Sequence, residues 1–299
     1  GAQGLPDDRE GREVVRQFNS VMQHKRTDIY NLCGNHDRSG LDQPDAVWWR
    51  KWVDPTGENT EYSEVDNSQR PYAIEGTWER YSFRVGNLLF LMMSDINEKT
   101  QTIGRGDLGG NPAGVVSGET FEWWKGMIES NPDSIIVSAH HYVLKETTIA
   151  SGEWEGFRKN QHGNWIWHYH GYKPQGAPKG ASFLYFVDGQ KDSQSFEGYL
   201  QQNPGASTLW LAGHTHAHPD DTHGEKSHIE TRWGCHFINV AALTQFHGKT
   251  CFPLSRRLVF AEGSDELEVE CYLHTNAVKP QGWYPEKKRL LKLPKPFQK

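Results

Sequence analysis

The chain has 299 residues, with 32 Lys+Arg against 38 Asp+Glu, a formal net charge of −6, 15 His, and 12 Trp, 11 Tyr and 13 Phe. That is enough chain to bury its own core without a disulfide or metal staple. So many aromatics at so low a net charge argue against disorder, the acidic balance argues against a protein that coats nucleic acid, and no apolar run approaches the roughly 20 residues of a membrane-spanning helix. Histidine is the outlying number: 12 of the 15 fall between His140 and His247. Imidazole is the commonest metal ligand, so the composition points to an enzyme with a metal site.

Taken in chain order, Pro6-Asp7-Asp8 opens a helical pattern over 9–25, with Val14, Val15, Phe18, Val21 and Met22 on one face. Residues 28–33 read as a short buried strand that runs into Gly34-Asn35-His36-Asp37. A polar, Trp-rich excursion follows over 38–80. Tyr81–Val85 and Leu88–Ser94 then form a hairpin about Gly86-Asn87. After a Gly-rich loop, Ser117 caps a helix over 119–130, which Asn131-Pro132 ends. Ser134–Ser138 is a buried strand leading into Ala139-His140-His141, and 145–205 is a second polar and aromatic insertion with a helix over 193–201. Thr208–Ala212 is a third apolar strand, ending at Gly213-His214-Thr215-His216. Cys235–Ala242, Arg257–Ala261 and Glu266–Leu273 read as sheet, and the basic stretch 280–299 reads as a solvated tail. Alternating strands and helices followed by strands make this a single α/β domain spanning 1–299.

Three buried strands each end in a loop carrying His or Asn: Asn35-His36-Asp37, His140-His141 and His214-x-His216. Sites in open α/β sheets form beyond the carboxyl ends of the strands, so side chains far apart in sequence can converge there. Gly34 and Gly213 stand where a tight turn or a close backbone approach is needed. The spacing His214-x-His216 suits two imidazoles offered to two adjacent metals, and an Asn amide is a neutral ligand that preserves Lewis acidity.

At these residues the sequence resembles the calcineurin-like metallophosphoesterase superfamily, whose later loops are Gly-Asn-His-Asp, a strand-end His and Gly-His-x-His. They stand here, in that order, as Gly34-Asn35-His36-Asp37, Val137-Ser-Ala-His140-His141 and Gly213-His214-Thr215-His216. The resemblance covers roughly 28–245 and implies a four-layer α/β/β/α sandwich that hydrolyses a phosphomonoester or phosphodiester with a metal-bound hydroxide. It implies two divalent ions, with Mn, Fe, Zn or Ni equally suited to the mixed ligands. Asn35, His140 and His214 would bind one ion and His216 the other. Asn35, Arg38 and His141 would meet a small phosphorylated substrate, while His36 would act as acid, its ring oriented by Asp37.

The family's upstream Asp-x-His and Gly-Asp-x-x-Asp loops do not occur in residues 1–33. The expectation is therefore a sandwich short of its first strands, with the remaining ligands supplied by a preceding segment or a companion peptide. The alternative is a catalytically inactive scaffold of this fold that binds a protein partner. Specificity would lie in the two insertions, which carry no nucleotide, lipid or sugar motif. The Trp residues 48, 49 and 52 read as core or lid packing. Cys33, Cys235, Cys251 and Cys271 show no CxxC spacing and read as buried thiols, with a Cys251–Cys271 bridge open only to an exported protein. The chain starts at Gly1, so any leader would already be gone; the compartment stays open, with a lean toward the cytoplasm.

Overall fold

The computed structural model describes residues 6–34, 37, 47–95, 116–149, 151, 157–159, 165–167, 193–214, 218–220, 222, 225–243 and 252–299. Its helices are α1 (Asp8–Asn19), α2 (Val47–Trp52), α3 (Thr60–Ser63), α4 (Gly118–Glu129) and α5 (Ser193–Gln202). Its strands are β1 (Glu75–Gly76), β2 (Arg80–Val85), β3 (Leu88–Met93), β4 (Ile135–Ala139), β5 (Phe157–Lys159), β6 (Trp165–Trp167), β7 (Leu209–Ala212), β8 (Ile229–Arg232), β9 (Cys235–Asn239), β10 (Leu254–Phe260), β11 (Glu266–Leu273), β12 (Gly282–Trp283) and β13 (Arg289–Lys292). Among the described residues no helix is long and apolar enough to cross a membrane.

A seven-stranded mixed sheet runs β1-β2-β3-β4-β7-β9-β8. Its centre, β3-β4-β7-β9, is parallel, and the outer pairs are antiparallel. Central strands buried on both faces need continuous apolar runs, and Leu88–Met93 and Ile135–Ala139 supply them. One face of β3 and β4 (Leu89, Leu91, Met93, Ile136) packs with Trp210 of β7 on α4 and α5 through Trp124, Ile128, Phe196 and Leu200. The opposite face (Leu88, Ile135, Val137, with Leu209 and Ile238) packs on Leu267 and Val269 of the second, antiparallel sheet β10-β11-β12, to which β13 adds beside β11, and on Leu293 and Phe297 of the chain after β13. The described residues thus form three layers, helix on sheet on sheet.

Four expectations are corrected. The stretch 28–33 is not a ladder strand: a 3-10 turn at Arg26–Asp28 leads into irregular chain held by side chains. Arg70 donates to Thr27 O and Ile29 O, both at 3.0 Å, and to Pro55 O at 2.9 Å, while Tyr81 Oη donates to Asn31 O at 2.7 Å. Helix α1 stops at Asn19 rather than 25, leaving Val21 41% and Met22 99% exposed. Its start is a reciprocal cap, Glu10 N donating to Asp7 and Asp7 N donating to Glu10. The region 38–80 contains α2, whose Trp48, Trp49 and Trp52 form a core with Val15, Cys33 and Trp78, and α5, inside the expected second insertion, belongs to the main core. The basic tail is structured: β13 pairs with β11, Leu293 and Phe297 are buried, and at the β2–β3 turn Asn87 N–H donates to Gln298 O while Gln298 N–H donates to Asn87 Oδ1. Cys235 and Cys271 are buried thiols without a bridge; Cys251 lies outside the described residues.

Candidate active site

The parallel strands β3, β4, β7 and β9 point the same way, so their carboxyl ends share one edge of the sheet. Past β4 come His140 and His141, and past β7 come Gly213 and His214. Ladder bonds carry on beyond the strands, from His140 N to Leu211 O (3.1 Å), Gly213 N to His141 O (3.1 Å) and Val240 N to Ala212 O (2.7 Å). The backbone under these histidines is therefore fixed by the sheet.

Two of the three loops meet through side chains. His141 Nε2 and His214 Nδ1 are 3.0 Å apart, their rings near perpendicular at 76°. The third arrives against them: a Cβ on Gly34 would lie 3.0 Å from two atoms of the His141 ring. Only a residue without a side chain lets this turn seat so closely. His214 has φ +66°, a left-handed conformation costly for a non-glycine residue and common where function holds it. Tyr142, buried, supports the pair, its ring centroid 4.3 Å from His214 and 5.1 Å from His141, and its carbonyl accepts from Trp210 Nε1 at 3.0 Å.

His140 is oriented differently. It is 1% exposed, and its Nδ1 accepts from Tyr142 N–H at 3.0 Å. A neutral ring that accepts at Nδ1 carries its proton at Nε2. Burial, and then neighbouring His141, hold His140 well below the ordinary histidine range, so it is neutral.

Asp37 closes its turn by accepting from Gly34 N–H at 2.7 Å through Oδ2, with its own N–H on Gly34 O. Burial pushes its carboxyl up to about 6, against the lowering effect of that Gly34 bond. Asn35, His36, Arg38 and His216 lie outside the described residues, as do His162, His168 and His170.

Sequence reasoning passed over two buried polar residues at the same edge. Asp95 follows β3, fully buried, its N–H donating to Cys33 O at 2.9 Å. Ser94 beside it accepts from Cys33 N–H at 3.0 Å, which clamps the approach to Gly34. Asn239 ends β9, and its Oδ1 accepts from Ala241 N at 2.9 Å; the Ala241 carbonyl lies 3.2 Å from where a Gly213 Cβ would be. The available signal was position, a polar residue directly after an apolar run, but neither residue sits in a histidine motif.

Among the described residues, no group of three or more His, Cys, Asp or Glu is placed to hold a metal ion. The His141 Nε2–His214 Nδ1 contact at 3.0 Å is a hydrogen bond in which one ring donates to the other; imidazole nitrogens are also common donors to divalent transition ions, so the pair is the residue set here that a metal could use. The chain matches no family model and no curated protein.

Proposed function

We propose that this chain is a metal-dependent phosphoesterase of the calcineurin-like type, built on a layered sandwich whose strand ends carry the site. One observation carries the reading: the Gly34 turn, the His140-His141 strand end and the Gly213-His214 turn, about 75–105 residues apart in sequence, come together at His141 and His214. Chance histidine motifs on unrelated loops give no reason for that convergence.

Within this reading His141 Nε2 and His214 Nδ1 are donors to a divalent ion, and Asn35 and His216 are further donors on the resemblance. Divalent ions bound there supply Lewis acidity to a phosphoryl oxygen and acidify a water molecule. His140, already accepting from Tyr142, orients the strand end rather than binding, which reverses the roles that the resemblance assigns to the two neighbours. Asp37 stabilises the turn that presents His36, the acid for the leaving oxygen, and Arg38 is the substrate-facing cation. The substrate is a phosphomonoester or phosphodiester.

The test is metal content together with turnover of p-nitrophenyl phosphate and bis(p-nitrophenyl) phosphate in Mn, Fe, Zn and Ni. Bound divalent metal and hydrolysis, both lost in His214→Ala or Asn35→Ala, are expected, while His36→Ala lowers turnover and keeps the metal. A folded chain that binds none of these metals and hydrolyses neither ester refutes the enzyme reading and favours the partner-binding scaffold.

A further inference from the structure

A second pocket lies between the turn that follows the Gly-His-x-His loop and the second sheet. It is open to solvent, and among the described residues its lining includes Arg256, Lys287, Arg289, Thr222, Ser227 and His228 but no carboxylate. It shares no residue with the His141–His214 pair.

Arg256 is the unusual member. It stands on β10 opposite Cys271 of β11, and its Nε and Nη1 are shut off from solvent. Among the described residues no acceptor meets either nitrogen. A guanidinium presents five donors and stays charged, and burying such a charge without a partner is among the costliest arrangements in a folded protein. The other groups do not relieve it. Lys287 is paired with Asp220 at 2.7 Å, and the Tyr284 hydroxyl also donates to Asp220. Ser227 donates to Glu230. Arg289 is a further cation, its Nη1 donating to Lys288 O at 2.9 Å. His228 donates from Nε2 to His218 O at 2.8 Å, and burial and then Arg256 hold its ring down to about 3, so it is neutral.

We infer that this pocket is an oxyanion site that takes a phosphate group, free or carried by a small molecule, against the Arg256 guanidinium edge that carries Nη2, with Arg289 and Lys287 at its rim and the Thr222 hydroxyl as a further donor. Arg256, Arg289 and a Lys287 shared with Asp220, together with a hydroxyl, surround one cavity and suit a tetrahedral, multiply charged group better than a planar carboxylate, and charge-assisted contacts to phosphate oxygens are the strong ones. The inference does not depend on the phosphoesterase reading.

Calorimetric titration of the chelator-treated protein with inorganic phosphate tests it. Saturable binding is expected, weakened at least about tenfold by Arg256→Met, the cost of one charge-assisted contact, and unchanged in His214→Ala. Phenylphosphonate, which is not hydrolysed, separates the two sources: tighter binding than inorganic phosphate assigns the site to a phosphorylated small molecule, and weaker binding assigns it to the free ion. Acetate is expected not to compete. Should Arg256→Met fail to fold, Arg289→Gln on the exposed rim must weaken phosphate severalfold. No phosphate binding by the unmodified chain, or an affinity equal to the parent's in both arginine variants, overturns the site, whatever becomes of the metal-dependent activity.

Discussion

Replacing His140 and His141 one at a time separates their roles, because the structure assigns the neighbours opposite kinds of loss. In His140→Ala the Tyr142 N–H, buried beneath the site, loses its acceptor, which costs about 1–3 kcal/mol. The void left by a fully buried ring adds on the order of 1–2 kcal/mol. For a domain of this size the sum lowers the melting temperature by roughly 5–15 °C. In His141→Ala no backbone bond is lost, since Gly213 N–H uses the His141 carbonyl, and the half-buried ring leaves space near the surface; the stability cost is below about 1 kcal/mol. The same change removes one nitrogen of the 3.0 Å pair, so, on the metal-dependent reading, metal affinity is expected to fall by more than the roughly 10–100-fold typical of outer-shell substitutions. Urea unfolding and metal content after dialysis read the two effects separately. A stable, metal-free His140→Ala beside a metal-replete His141→Ala would refute the assignment.

Gly34→Ala places a methyl 3.0 Å from the His141 ring and pushes it a few tenths of an ångström off His214; turnover is expected to fall about 10–100-fold with a melting temperature near that of the parent, and an unchanged kcat contradicts the close seating. Arg70→Met cuts the ties to Thr27, Ile29 and Pro55; a loss of about 3–5 kcal/mol in the unfolding free energy read from denaturant titration is expected, as for breaking a buried charged network, with Arg70→Lys losing less. Stability should also depend on pH through His228. Its folded value near 3 lies below its unfolded value of about 6.5, so the unfolded chain binds the extra proton; the contribution is whole above about pH 6.5 and is lost on acidification toward 3, at up to about 1.4 kcal/mol per pH unit. Buried His140 acts in the same direction. Urea midpoints across that range should show a shallower slope in His228→Gln, and an identical slope sinks the assignment.

The elements legible in the sequence are those whose surroundings leave one solution. Strands β3, β4 and β7 are buried on both faces, so their apolar runs stand out against polar loops, and the Ser117 cap, accepting from Thr120 N at 3.0 Å, marks the start of α4. The stretch 28–33 misleads because Tyr30, Leu32 and Cys33 are apolar for contact with Tyr72, Phe83 and Trp78, not for a ladder. Met22 carries the helical period past Asn19, yet nothing packs over it. The tail reads as solvated because its lysines outnumber Tyr284, Leu293 and Phe297, the apolar residues it buries. In the site, the glycine–histidine turns are visible as motifs, whereas the orientation of the His140 ring is set by one backbone N–H that no motif records.

The tethered stretch leading to Gly34 gives the site two halves of unequal cooperativity. His141 and His214 leave directly from ladder strands, while Gly34 is delivered on chain held by Arg70, Tyr81 and Ser94. In native-state amide exchange, the N–H groups of β4 and β7 should open only with global unfolding, whereas those around Cys33 and Gly34 should exchange through a smaller, separate opening. That opening lifts one wall from the histidine pair and leaves the pair itself in register, a route for ligand exchange that leaves the sheet folded.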